Sequence, residues 1–249
     1  MLFKTDAVVL RKNKISDSDV ILTLFTRKSG KVKAVAKGGR KPKSKLSPAS
    51  HPFIFGEFII NKGSKLDRIS SVDIKESFYK VREDLIRLAY ASYIAELCES
   101  VILEGVTNNR LFDTLLKSLY LITYDNNNLE FIKATFQIKL LDYVGFRPEV
   151  NRCVSCGNES FEKYRFSIQH GGLICDLCSN QYEKLIVISN TVKKLIDYIL
   201  RTDIITLSKL KLNQNIVKNL NKLFDKYIEI HLEKNNFKSL EFLKTLNKI

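Results

Sequence analysis

Two Cys-x-x-Cys pairs constrain this chain more than any other feature. The sequence reads Cys153-Val-Ser-Cys156 and then, eighteen residues later, Cys175-Asp-Leu-Cys178. A two-residue gap lets both thiolates of a pair face one point across a tight turn. Two such turns brought together form a tetrahedral sulfur site, with bonds of about 2.3 Å if the metal is zinc. The separation of the pairs is that of a zinc ribbon. Gly157 follows the first pair, where the chain often needs a positive φ. Phe166, Gly171 and Gly172 lie in between, as expected of a short hairpin that returns the second pair to the first. The competing readings are two disulfides or four buried thiols. The leading segment Met1-Leu-Phe-Lys-Thr-Asp6 has no apolar signal core, so the expectation is a cytoplasmic chain whose cysteines stay reduced and bind metal. Four cysteines close the coordination shell, whereas catalytic zinc keeps one position open. One structural Zn²⁺ on Cys153, Cys156, Cys175 and Cys178 is therefore expected. The fifth cysteine, Cys98, sits in an apolar helical stripe and reads as core.

Charge is the second constraint. The chain carries a net charge of +14, and residues 1–80 supply +11 of it, with 18 Lys/Arg against 7 Asp/Glu. Residues 27–45 hold nine basic side chains (Arg27, Lys28, Lys31, Lys33, Lys37, Arg40, Lys41, Lys43 and Lys45) and no acidic one. Such clustering points to a polyanion, and these nine are the candidate nucleic-acid-binding residues. The alternative is a solvated run in a lysine-rich chain.

Periodicity divides the 249 residues at about residue 80. Before it, short β-prone runs alternate with turns: Ala7–Leu10, Val20–Phe25, Val32–Ala36, Phe53–Ile60 and Leu66–Phe78, with a Pro-rich loop at 40–52. Five short strands in this length suit a small barrel. After it, apolar residues recur at helical spacing. Leu85–Ile102, Leu111–Ile122 and Leu129–Tyr143 give three stripes, the last ended by Gly145 and Pro148. Ser189 reads as an N-cap. Ile216–Ile228 is the strongest stripe, and a last short helix takes in Leu240, Phe242, Leu243 and Leu246. The fold class is thus α+β: a barrel domain over 1–80, then a helical domain over 81–249 interrupted by the cysteine segment at 150–180. A ribbon set between helices is expected to clip the fold together. No uncharged apolar run of about 18 residues exists, so no membrane span is expected.

Catalytic patterns are missing from the sequence. No phosphate loop or dinucleotide fingerprint occurs, and no Glu stands where a zinc deaminase needs one. His51, His170 and His231 read as surface or packing residues, and Asp17 and Asp19 as turn formers. The expectation is a protein that is not an enzyme. In a small barrel, a strand carrying Lys33 and Lys37 on one face, followed by a basic loop, would make a track for single strands, with phosphates neutralised and bases stacked. Phe25, Phe53 and Phe55 are the nearby aromatics, and each reads first as core.

Two stretches resemble the RecO family of bacterial recombination mediators. One is Ser16-Asp17-Ser18-Asp19-Val20-Ile21-Leu22-Thr23-Leu24-Phe25-Thr26 with Gly30-Lys31 and Ala34-Val35-Ala36-Lys37-Gly38-Gly39-Arg40-Lys41-Pro42-Lys43-Ser44. The other is Gly145-Phe146-Arg147-Pro148 leading into Arg152-Cys153-Val154-Ser155-Cys156-Gly157, with Phe166-Ser167 and Gly171-Gly172-Leu173-Ile174-Cys175. Gly39 departs from the Ala often found in the family. All four cysteines are kept, although some members lack them. The resemblance implies an N-terminal OB-fold and a helical domain with a zinc finger. It implies binding of single- and double-stranded DNA, annealing of complementary strands, contacts with RecR and with the acidic C-terminal tail of single-stranded DNA-binding protein, and help in loading RecA at gaps. Such a protein is expected at the nucleoid. Other readings are a zinc-ribbon protein acting on RNA or in transcription, and a zinc nuclease, which the closed cysteine site disfavours.

Overall fold

The computed structural model describes residues 2–125, 128–234 and 236–246. Met1, at the head of the segment read for a signal, and residues 247–249 of the expected helical domain lie outside them. Strands β1 (Leu2–Lys14), β2 (Val20–Thr26), β3 (Gly30–Ala36), β4 (Phe55–Asn61) and β5 (Asp67–Glu76) close into a barrel in the order β1-β2-β3-β5-β4. Every pairing is antiparallel except that of β3 with β5, which runs parallel through Ala34↔Asp67 and Val35↔Arg68. β1 is long because it pairs with both β2 and β4, and a register shift between Val9 and Arg11 lets it bend from one to the other. This five-stranded Greek-key closure is the OB-fold. Leu22, Leu24, Val32, Ala34, Ala36, Phe58 and Ile60 fill its interior.

The alternation read in β3 holds. Val32, Ala34 and Ala36 point inward, and Lys31 and Lys33 stand on the outer face. The hairpin into β3 turns at Gly30, which has φ +61°, and a Cβ there would lie 2.2 Å from the carbonyl oxygen of Val106. No other residue fits. Phe25 and Phe55 leave the barrel to meet Phe112, at ring distances of 5.2 and 6.2 Å, and Phe53 is buried. The three aromatics are therefore packing residues.

The helices are α1 (Leu85–Val101), α2 (Asn109–Tyr124), α3 (Leu129–Tyr143), α4 (Asn190–Arg201), α5 (Ile204–Ser208), α6 (Gln214–His231) and α7 (Lys238–Leu246). Short polar side chains cap them. Asp84, Asn108, Asn128, Ser189, Asp203 and Asn213 each accept a backbone N–H of the first turn. Between α3 and α4, β6 (Tyr164–Ser167), β7 (Gly172–Ile174) and β8 (Ile186–Ile188) form a small sheet in the order β7-β6-β8. Its third strand lies beyond the hairpin expected within 150–180. Among the described residues no helix is long and apolar enough to cross a membrane.

By compactness the chain falls into two units, residues 1–125 with 237–249 and residues 126–236. This cut differs from the strand-to-helix boundary near residue 80, because α1, α2 and α7 join the barrel's unit. α7 returns to pack on α1: Phe237 meets Tyr93 edge-on at 5.9 Å, and the Ser239 N–H donates to Glu96 Oε2 at 3.0 Å.

In the second unit α3 is buried all round from Phe131 to Leu141, with α4, α5 and α6 packed against it. A single apolar stripe understates such a helix. Its polar residues need partners: the Lys133 ammonium lies 2.8 Å from Asp225 Oδ1, and Gln137 Nε2 donates to the same oxygen at 2.8 Å. Removing one member of a buried pair leaves the other charge uncompensated. Asp225→Ala is expected to destabilise the protein by about 3–5 kcal/mol in denaturant titrations, while Lys133→Met with Asp225→Leu restores much of the loss. Equal stabilities for the single and double variants would contradict this account.

Candidate functional site

The four cysteine sulfurs lie within 4.8 Å of one another, and Cys156 Sγ is 3.6 Å from Cys175 Sγ. A tetrahedron with 2.3 Å bonds has edges of about 3.8 Å, and a disulfide needs about 2.05 Å. All four cysteines are free, so the disulfide reading fails and the donor set fits a metal ion held by thiolates.

Each knuckle is built by short-range hydrogen bonds. The Gly157 N–H donates to Cys153 O at 2.9 Å, with Gly157 at φ +77°, and the Cys178 N–H donates to Cys175 O at 3.2 Å. The Cys175 N–H also points at Cys153 Sγ, 3.3 Å away. Burial pushes the Cys153 thiol up, but N–H donors from Cys175, Cys156 and Ser155 outweigh it and hold the thiol below its ordinary value. That favours a thiolate at Cys153. At Cys156 the Asn158 N–H pulls the same way, but hydrogen bonding with the Cys175 and Cys178 sulfurs outweighs it and pushes that thiol up to about 12. Around the sulfurs there is little apolar mass, namely Ile174 with part-buried Phe161, Tyr182 and Leu185. Arg165 on β6 pairs with Asp176 of the second knuckle, whose carboxylate also accepts the Glu162 N–H at 2.9 Å.

Helix α6 grips the other end of the ribbon. His231 Nε2 lies 2.7 Å from Ile168 O and donates to it. The Tyr227 hydroxyl reaches Phe146 O at 3.3 Å and Gly171 O at 3.4 Å, and its ring stacks on His231 at 4.1 Å. His170 bonds Ser167 Oγ through Nδ1 at 2.9 Å and packs on Tyr182. These two histidines hold the ribbon and are not ligands.

The basic residues fall into three settings. Arg27 is engaged: it pairs with Asp113, and its guanidinium lies 4.5 Å from the centre of the Phe112 ring. Lys28, Lys33, Lys37, Arg40, Lys41, Lys43 and Lys45 are exposed, and Lys31 is half-buried. The loop carrying Lys37 to Lys45 is stitched to the β1–β2 turn. Asp19 Oδ1 accepts the Gly38 N–H at 2.8 Å, the Arg40 N–H donates to Ser18 O at 3.0 Å, and Arg40 NH1 donates to Ser16 O at 3.2 Å. The Gly38 N–H, with the Ser18 hydroxyl, holds the Asp19 carboxyl below its ordinary pKa. Asp19 is thus a loop anchor, in keeping with its reading as a turn residue.

The barrel adds cations that a linear reading misses. A cavity of about 550 Å³ on the first unit is lined by Lys31 and Lys33 from β3, by Lys62 and Lys65 from the β4–β5 loop, and by Phe3. Asp67 and Glu104 share its rim. Parallel closure of β3 on β5 also sets exposed Arg68 beside Val35 on the outer face. The only linear signal for this second basic group is a pair of lysines in the Asn61–Leu66 turn.

Comparison with known proteins agrees with this architecture. The sequence matches "Recombination protein O N terminal" over residues 1–78 and "Recombination protein O C terminal" over residues 82–241. It is 43% identical over 246 residues to the DNA repair protein RecO of Alkaliphilus metalliredigens, covering 99% of this chain and all of the relative. It is 36% identical to that of Desulforamulus reducens, covering 99% of this chain and 96% of the relative, and 33% identical to that of Acetivibrio thermocellus, covering 99% and 98%. An OB-fold barrel, a helical remainder and a four-thiol cluster thus stand on a full-length match, and the chain belongs to the RecO family of DNA repair proteins.

Proposed function

We propose that the protein is a DNA repair and recombination mediator that works by binding, without catalytic turnover. Residues 1–80 form the nucleic-acid-binding domain, and residues 81–249 the helical domain with its inserted finger. The protein binds single- and double-stranded DNA and anneals complementary strands. With RecR it helps load RecA onto gaps coated with single-stranded DNA-binding protein, whose acidic tail it contacts. It acts in the cytoplasm, at the nucleoid. One Zn²⁺ is held by Cys153, Cys156, Cys175 and Cys178 and serves the fold.

The observation that carries this reading is the pairing of two basic groups on one barrel, the lysine-lined cavity at Lys31, Lys33, Lys62 and Lys65 and the exposed loop from Lys37 to Lys45. Phosphate contacts carry no sequence information, which suits a protein that must accept any gap. Cations along a strand also reduce the repulsion between two backbones, and annealing then needs no reacting side chain. Arg27 contributes least, because Asp113 already holds it.

Titration of labelled single-stranded DNA at several salt concentrations tests the reading. Five phosphate contacts predict a fall of log K with log salt at a slope of roughly −3.5. Affinity that ignores salt would refute it. Tighter binding of RNA than of DNA at matched salt would shift the assignment to RNA.

A further inference from the structure

A second cavity in the first unit, of about 590 Å³, lies outside both groups described above. Leu10 and Lys12 of β1, His51 and Phe53 of the loop before β4, Arg82 and Leu88 line it. Its two carboxylates are engaged. Glu99 pairs with Arg11 at 3.3 Å, and Glu96 accepts the Ser239 N–H at 3.0 Å. Lys12, His51 and Arg82 have no carboxylate partner among the described residues. Arg82 donates one N–H to Pro52 O at 2.8 Å, leaving the rest of its fork for a ligand. These three groups oppose one another. Burial, then Arg40 and Arg82, push the Lys12 ammonium down, and burial, then Lys12 and Arg82, do the same to His51.

The backbone keeps this arrangement in place against strain. Phe53 has φ +72° although it is a large buried residue. Its N–H donates to Val9 O at 2.7 Å, and the Val9 N–H donates to Ile54 O at 2.9 Å, so the loop is tied across β1. A strained residue persists where its surroundings over-determine it, and such residues gather at ligand sites. The size is in the range of small-molecule sites, about 300–1,000 Å³.

We propose that this cavity binds a phosphomonoester attached to a nucleoside, either a free nucleoside monophosphate or the 5′-phosphorylated end of a DNA strand. A terminal phosphate is close to a dianion at neutral pH, with a second pKa of about 6, and so compensates a cluster that a single charge leaves repulsive. A carboxylate would be satisfied by the Arg82 fork alone. An internal phosphodiester carries one charge and is flanked by sugar on both sides. Leu10, Phe53 and Leu88 offer an apolar wall to the sugar and base. The DNA-end form rests on the DNA-binding function proposed above, and the free nucleotide form does not.

The test uses the full chain and two single-stranded oligonucleotides of one sequence, labelled at the 3′ end, one 5′-phosphorylated and one with a 5′-hydroxyl. Thymidine 5′-monophosphate is titrated separately by calorimetry. The phosphorylated strand is expected to bind roughly tenfold more tightly than its partner, the effect of one charge-assisted contact or more. The combined variant Lys12→Gln, His51→Gln should abolish that preference while leaving the 5′-hydroxyl strand's affinity unchanged. Monophosphate binding, lost in the same variant, supports the free nucleotide form. If neither strand binds, the DNA-binding function fails and the monophosphate titration alone decides the cavity. No preference for the phosphorylated end together with no monophosphate binding overturns the proposal, as does binding that the variant leaves intact.

Discussion

The variant Lys37→Ala, Arg40→Ala, Lys41→Ala, Lys43→Ala is expected to bind single-stranded DNA about 200-fold more weakly at 0.15 M salt, with its salt slope flattened by about 2.8. The figure follows from four lost phosphate contacts, each worth a slope of about −0.7 on a single strand. All four side chains are exposed, and among them Arg40 donates a side-chain hydrogen bond to Ser16 O. The melting curve and metal content should therefore stay as they are. Lys194→Ala, Lys218→Ala, Lys222→Ala, Lys226→Ala, at four exposed lysines of α4 and α6, is the matched control and should change affinity little. Equal losses in the two variants would mean that the chain binds DNA through its overall charge, and that the loop has no special part.

Loss of the metal should act on a different half of the molecule. Cys175→Ser is expected to lose the proposed zinc, about one equivalent per chain by atomic absorption in the unaltered protein, and to unfold the ribbon. Structural zinc supplies about 10–16 kcal/mol of apparent binding energy in isolated fingers, and here the apolar mass around the sulfurs is too small to replace it. The grip of Tyr227 and His231 should keep the Ile168–Gly171 turn attached to α6 for longest. Hydrogen exchange should consequently rise first at the knuckles and in β6–β8, and only then in α6. Single-stranded DNA affinity should change by less than a few-fold. A zinc-free variant with unaltered exchange in residues 150–188 would end the structural reading of the metal.

The cysteine cluster was legible because its information is local: two turns of fixed spacing, each closed by its own backbone hydrogen bonds. The barrel strands were legible for a related reason, since Val32, Ala34 and Ala36 announce an inner face without reference to a partner. What escaped depends on pairing over distance. Ile186–Ile188 is too short to signal a strand until Tyr164–Phe166 lies beside it. Lys62 and Lys65 look like ordinary turn lysines until β3 closes on β5. Arg27 sits in an acid-free stretch, yet its acid comes from Asp113 on α2. The period of α7 marks Leu243 as buried, but it cannot name α1 as the surface that buries it.

That last pairing bears on how the chain is made. Residues 126–236 separate the two parts of the first unit, so the ribosome releases the barrel, α1 and α2 long before α7 exists to cover Tyr93 and Glu96. During synthesis this seam of α1 stays open to solvent while the whole second unit emerges and folds. Thermodynamically the detour matters little, because closure entropy grows only by about 0.6 kcal/mol for each doubling of the loop. Its effect is on timing: the first unit to appear is the last to be finished.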